Sequence, residues 1–301
     1  MASVVAAVGI IVTGGVVRVT GSGLGCPEWP SCTGESLAPT AEMGMHGAIE
    51  FGNRLLTGVL CVVVGWLIIA ARLQRDPSRD VLRGAWAQFW VVVLNAIVGG
   101  VTVWMRLSPY IVAAHFLAAA LLLATAVLTW EHVRRQEHAV PAPVPRPERA
   151  VALSRLLLAG SFVLLVVGTV VTGSGPHAGD SSDVSRMPFD WAGVTVAHGV
   201  IAAGCLVVGG LLLTALPAGS PARRRTGVFL AVFVAQGAVG LFQSLTSLPA
   251  VAVILHLLGS ALVWAGAVRV VLAVKRQVTD GEPAVDQLSA PLARSTIAAD
   301  T

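Results

Sequence analysis

Eight stretches of this chain are apolar for long enough to cross a lipid bilayer, and that leaves few folds open to it. They fall at about 1–17, 44–71, 84–105, 110–131, 151–173, 191–215, 226–245 and 250–274. Roughly 20 apolar residues span the hydrocarbon core when helical, and a helix satisfies its own backbone where water cannot. Composition agrees, since 55% of the residues are hydrophobic and only 12% are charged. A soluble domain carries about twice that charged share. The fold class is an all-α polytopic membrane protein with eight transmembrane helices. The first stretch begins at Met1 without a charged lead-in, which argues against a cleaved signal peptide; a start site set too far downstream is an equal reading.

Charge orients the spans. Basic residues gather at Arg72, Arg75, Arg79 and Arg83, at Arg134, Arg135, Arg146 and Arg149, at Arg223 to Arg225, and at Lys275 with Arg276. The alternate loops hold Glu28, Glu35, Glu42, Asp180, Asp183 and Asp190 instead. An excess of Lys and Arg marks the cytoplasmic side, so both termini are expected inside a multi-pass protein of the cell membrane. Membrane lipid accounts for the basic balance, and no nucleic acid is needed. Residues 132–150, with several Pro and charges, are expected as a cytoplasmic linker, and 276–301 as a disordered cytoplasmic tail.

The linker separates two halves that repeat. Thr20-Gly-Ser-Gly23 matches Thr172-Gly-Ser-Gly175, and His46-Gly-Ala-Ile-Glu-Phe-Gly52 matches His198-Gly-Val-Ile-Ala-Ala-Gly204. His115-Phe-Leu-Ala-Ala-Ala-Leu121 matches His256-Leu-Leu-Gly-Ser-Ala-Leu262, and Asn95 with Gly99 matches Gln236 with Gly240. Four spans per half give both halves one orientation, related by an axis along the membrane normal. Two pseudo-symmetric four-helix bundles follow, at 1–131 and 151–275.

Four histidines lie within spans: His46, His115, His198 and His256. Ionisable side chains in a bilayer are costly and mark functional sites, although any one of them could simply hydrogen-bond a neighbouring helix. Each falls within about two turns of the outer end of an even-numbered span, which places them at similar depth. Two imidazoles per bundle at one level suit axial ligation of a haem iron, with small residues such as Gly47, Ala48, Gly199 and Ala203 leaving room. A zinc site would need further ligands at that depth. His132, His138 and His177 fall in loops; the first two are expected on the surface, and His177 is expected there too, with contact to a haem propionate or metal as its alternative.

The halves differ below the first histidine. Glu50 stands where the repeat has Ala202, and Asn53 and Arg54 where it has Cys205 and Leu206. A carboxylate beside a bound group suits proton abstraction, so the first half reads as the reaction centre and the second as an electron relay. The plain alternative is an i,i+4 ion pair of Glu50 with Arg54 that stabilises the helix. On the first outer loop, Cys26 and Cys32 bracket Pro-Glu-Trp-Pro-Ser at a spacing that can close a small disulfide, structural or redox-active. Cys61 and Cys205 read as small apolar side chains.

The run from Val12 to Cys32 (VTGGVVRVTGSGLGCPEWPSC) resembles the first-loop signature of the haem A synthase family. Glu50-Phe-Gly-Asn-Arg54, the segment from Gly99 through Pro109 to His115, and His256 resemble the same family over nearly the whole chain. Thr172 to Asp180 is similar to its actinobacterial members. The resemblance implies oxidation of a porphyrin methyl of haem O to the formyl of haem A, through hydroxylated intermediates. Substrate haem would lie in the first half and a haem b between His198 and His256. It further implies catalysis by Glu50, electron acceptance or relay by Cys26 and Cys32, and haem O synthase (protohaem farnesyltransferase) as a partner. The electron acceptor and any homo-oligomeric state are left open.

One departure bears on the ligands. The family pattern is Glu-x-x-His-Arg, with the histidine as iron ligand, and this chain has Asn53 there. The internal repeat favours His46 as the replacement, two helical turns earlier; the other alignment sets His198 on the family histidine and leaves His46 without that role. Rival functions are a di-haem b-type electron-transfer cytochrome, a repeat-built transporter for which Gly99-Gly100 would mark a broken helix, and a haem chaperone.

Overall fold

Every expected span is a helix, and several run well past the apolar stretch that revealed them. The computed structural model describes residues 1–75, 78–137, 148–177, 179–180 and 184–279. Among these lie α1 (Ala2–Val19), α2 (Gly44–Arg72), α3 (Arg79–Trp104), α4 (Pro109–Glu137), α5 (Glu148–Ser174), α6 (Trp191–Ala215), α7 (Pro221–Leu245) and α8 (Ala250–Thr279). A single 3₁₀ turn, Ala41–Met43, leads into α2.

Hydropathy ends where charge begins, whereas a helix keeps forming hydrogen bonds through its charged turns. The linker expected at 132–150 is therefore shorter: 132–137 belong to α4 and 148–150 to α5. Residues 138–147, including His138, lie outside the described residues. The tail expected from 276 is likewise helical to Thr279, and the rest of it lies outside the described residues. Caps fix the new starts. Ser78 accepts from the Val81 N–H at 3.4 Å, and Ser220 from Arg223 at 3.2 Å with Pro221 opening the first turn. Such caps satisfy helix N–H groups that have no partner within the helix.

The helices close into two rings. In the first, α1 packs on α2 and α4, α2 on α3, and α3 on α4; in the second, α5 packs on α6 and α8, α6 on α7, and α7 on α8. The rings meet through α1 on α8, α4 on α5, and α4 on α8. Exchanging the halves turns the first of these contacts into the second and leaves the third unchanged, which is the pattern of a two-fold axis between α4 and α8. The α3–α4 and α7–α8 turns repeat too. Each holds two successive left-handed residues, Arg106 (φ 46°) and Leu107 (57°), then Ser247 (59°) and Leu248 (57°).

Packing is dense between helices and sparse outside them. Leu60, Val64, Leu123 and Val127 form the first core, with Ala261 and Val268 of α8 joining it; Leu157, Leu212, Phe229 and Val270 anchor the second. Only 11% of the apolar window of α7 is buried within the protein, so most of that helix is left to face lipid.

At the basic end, buried Glu131 of α4 joins the halves. It pairs with Arg225 of α7 at 3.0 Å and Arg269 of α8 at 2.9 Å. Arg269 also lies 4.8 Å over the Trp130 ring. Nearer mid-span, Trp264 donates its indole N–H to the Ala120 carbonyl at 2.8 Å.

Candidate functional site

The histidine-bearing helices enter from the end that carries Cys26 and Cys32. In the second half, His198 lies seven residues into α6 and His256 six residues into α8. Both rings rest against glycines, and at the closer of the two a side chain would collide. A Cβ at Gly168 of α5 would lie 3.4 Å from the His198 ring, and one at Gly240 of α7 only 2.9 Å from that of His256. His198 and His256 thus each pack on a glycine of a neighbouring helix, at the same end of the second bundle. Each keeps a buried ring Nδ1 without a hydrogen-bond partner.

The first half repeats this arrangement on α4. His115 lies six residues into its helix, a Cβ at Gly99 of α3 would lie 3.2 Å from its ring, and its Nδ1 is also buried and unpartnered. The match does not extend to α2. Here it is Asn53 that reaches α1, accepting the Thr13 hydroxyl at 2.7 Å. Thr13 stands six residues before the end of α1, and Gly168 six before the end of α5. By packing, then, Asn53 is the counterpart of His198.

That corrects the register expected from the repeat. His46 lies only two residues into α2, is exposed, and shares a 3.0 Å hydrogen bond from Nδ1 with the hydroxyl of Ser22, beyond the end of α1. The matched sequences mislead because α1 ends at Val19, before Thr20-Gly-Ser, whereas α5 continues through Thr172-Gly-Ser174. The partner of Glu50 across the repeat is accordingly Thr195 rather than Ala202, and the second half still has no carboxylate at that place. Cys205 sits deeper, in the core, with its sulfur 2.7 Å from a Cβ placed on Gly160.

Glu50 and Arg54 do form the i,i+4 pair, at 2.5 Å, and they do more than stabilise a helix. Glu50 is 5% exposed, and its Oε2 accepts the Cys26 N–H at 2.7 Å. Arg54 donates to the carbonyls of Glu28 and Ser31 at 2.9 Å and of Cys26 at 3.0 Å. Together they bind the loop closed by the Cys26–Cys32 disulfide, whose two cysteines are fully buried. That loop folds over α3, where the Trp29 ring lies against Gly100, 2.7 Å from where a Cβ would be. Gly99 and Gly100 thus receive His115 and Trp29, and α3 runs unbroken through both. The transporter reading loses its sign of a broken helix.

Sequence reasoning missed the contacts between the outer loops. The Gly23 N–H donates to the Gly179 carbonyl at 2.7 Å, and Ser22 forms a β-bridge with Asp180. Arg18, at the end of α1, donates to the Thr172 carbonyl of α5 at 2.7 Å. Through its bridge to Ser22, Asp180, a residue of the second half, reaches the outer end of the first. His177, expected on the surface, is partly buried and hydrogen-bonds the Leu248 carbonyl at 3.0 Å. A lone Arg18 at the end of an apolar span was the one legible hint.

Fold and site define a duplicated eight-helix membrane protein whose two bundles carry histidines at one end, under a disulfide-closed loop. Residues 1–268 match the COX15-CtaA family, described as cytochrome oxidase assembly protein, and the chain belongs to that family. Curated relatives include the heme A synthases of Alkalihalophilus pseudofirmus (31% identity over 130 residues), Lysinibacillus sphaericus (36% over 126) and Exiguobacterium sibiricum (31% over 140). These alignments span 42%, 39% and 44% of this chain, and 43%, 40% and 46% of the relatives. The chain thus matches less than half the length of each.

Proposed function

We propose that the chain oxidises the ring methyl of haem O to the formyl of haem A, with both termini on the cytoplasmic side. The observation that carries this is a duplicated packing of histidine on glycine, with a buried carboxylate, Glu50, near it in the first half and none at the matching place in the second. The histidines fit haem ligands: Gly99, Gly168 and Gly240 each receive an imidazole ring, and His115, His198 and His256 each keep a buried Nδ1 without a hydrogen-bond partner. Among the described residues no three or more His, Cys, Asp or Glu gather at one point. A closed structural zinc site takes four protein ligands, whereas haem iron takes one or two axial ones.

His198 and His256 would hold haem b, and His115 would hold substrate haem O beside Glu50. Bound there, haem b supplies one-electron redox chemistry. The protein's own part is positioning. Thr13 orients the Asn53 amide, Arg54 fixes the Glu50 carboxylate, and Trp29 covers the α3 wall. Glu50 Oε2 is the atom placed to take up a proton, by releasing the Cys26 N–H it holds at rest. Full burial of Cys26 and Cys32 favours a clamp over an exchanging redox pair. A di-haem cytochrome would have no use for a carboxylate in one pocket alone, and family membership favours the synthase.

The test is pigment extraction from membranes expressing this chain together with haem O synthase, the enzyme expected to supply its substrate. Haem A or hydroxylated haem O is the expected product. Unchanged haem O would refute the activity.

A further inference from the structure

We infer that the first pocket offers haem iron one protein ligand, His115, and that its other face is bordered by Asn53 and Thr13 where the second pocket has His198. This rests on the proposed function for the identity of the bound group, and on packing for everything else.

The two pockets share one wall and differ in the other. On the α4 and α8 side the correspondence is complete: His115 and His256 each lie six residues into their helix and each rests on a glycine of the preceding one. On the α2 and α6 side, His198 meets Gly168, and at the same distance from the end of α1 it is Thr13 that meets Asn53. An amide oxygen already accepting a hydroxyl hydrogen is a poor substitute for imidazole at iron.

His46 cannot make up the difference from where it stands. Seven residues separate it from Asn53, about 10 Å along a helix axis. Its Nδ1 is held by Ser22, and Ser22 is itself tied down by Thr20 at 2.8 Å and by the bridge to Asp180. Those contacts hold His46 at the mouth. In the second half His198 and His256 would both be available to hold haem iron, an arrangement suited to electron transfer. In the first half only His115 would hold it, which would leave the iron open to a small exogenous ligand.

Carbon monoxide and electron paramagnetic resonance decide the matter on the purified full-length chain loaded with haem b and haem O. The expected result is one haem that binds carbon monoxide when reduced and gives a high-spin ferric signal, beside one low-spin bis-histidine haem. His46→Ala should leave both signals unchanged, and His115→Ala should remove the carbon monoxide-binding haem. Asn53→His should supply the second ligand, abolishing carbon monoxide binding and converting that haem to low spin. The haem b low-spin signal reports folding in each variant. Two low-spin haems in the parent chain, with a new high-spin signal in His46→Ala, would overturn the inference. So would a parent chain in which neither haem binds carbon monoxide. Haem A formation is scored separately: product together with two low-spin haems defeats only this inference, and the expected spectra without product defeat only the proposed activity.

Discussion

Thr13 donates its hydroxyl hydrogen to Asn53 Oδ1 at 2.7 Å, at the height where Gly168 meets the ring of His198 in the other half. That one difference shows how a duplicated bundle can support two tasks. The helix pairs α3–α4 and α7–α8 keep the same glycine, histidine and turn in both copies. The pairs α1–α2 and α5–α6 have diverged in the residues that meet at the pocket.

Gly99 and Gly240 should not tolerate a methyl group. Gly240→Ala places a carbon 2.9 Å from the His256 ring and Gly99→Ala 3.2 Å from that of His115. Each should weaken haem retention in its own half by about tenfold, or roughly 1.4 kcal/mol. Gly168→Ala, at an ordinary contact distance of 3.4 Å, should retain haem b. Soret absorbance per mole of purified protein measures all three, and equal retention across them would remove the case for ring-sized cradles.

Glu50→Gln should separate chemistry from architecture. The amide oxygen can still accept from Cys26; the Arg54 bond to the other oxygen is lost, but Arg54 keeps its three loop carbonyls and the disulfide keeps the loop closed. A carboxamide cannot take the proton, and product formation should fall by about 100-fold or more, the usual scale for a general base. Chromatography of extracted pigment gives the answer. Turnover within a few-fold of the parent would remove Glu50 from the mechanism.

Arg54→Ala strips four hydrogen bonds and leaves a buried carboxylate without its cation. Breaking such a pair on one side destabilises by about 3 kcal/mol. The expected outcomes are a lower unfolding temperature in detergent and faster reduction of the Cys26–Cys32 disulfide. Lys at the same position cannot reach three carbonyls and a carboxylate together, so Arg54→Lys should recover only part of the loss.

Glu131→Ala tests the basic end. It leaves Arg225 and Arg269 facing one another without the carboxylate between them. A loss of about 3 kcal/mol is expected, read as a lower unfolding temperature in detergent. An unchanged unfolding temperature would mean that the remaining contacts of α4 with α8 and between the outer loops hold the halves together without this cluster.

Helix number and type were legible because each span is a long apolar run, and the four intramembrane histidines stood out as costly groups. Helix ends were not. Arg79, Glu148 and Lys275 stop a hydropathy count but not a hydrogen-bonded helix. The register between the halves was misread at His46 because two short motifs align at a constant offset, while α1 stops before Thr20-Gly-Ser and α5 does not. The Glu131–Arg225–Arg269 cluster and the Gly23–Gly179 contact join residues far apart in sequence, and no local pattern announces such pairs. Glu50 was found as a lone carboxylate, but its hold on the Cys26 backbone required the fold of the loop.

Pigment analysis of the purified parent chain, His115→Ala and His256→Ala tests the division of labour most directly. The account predicts that His115→Ala loses haem O and haem A while keeping haem b, and that His256→Ala does the reverse. Loss of the same pigment from both variants would contradict it.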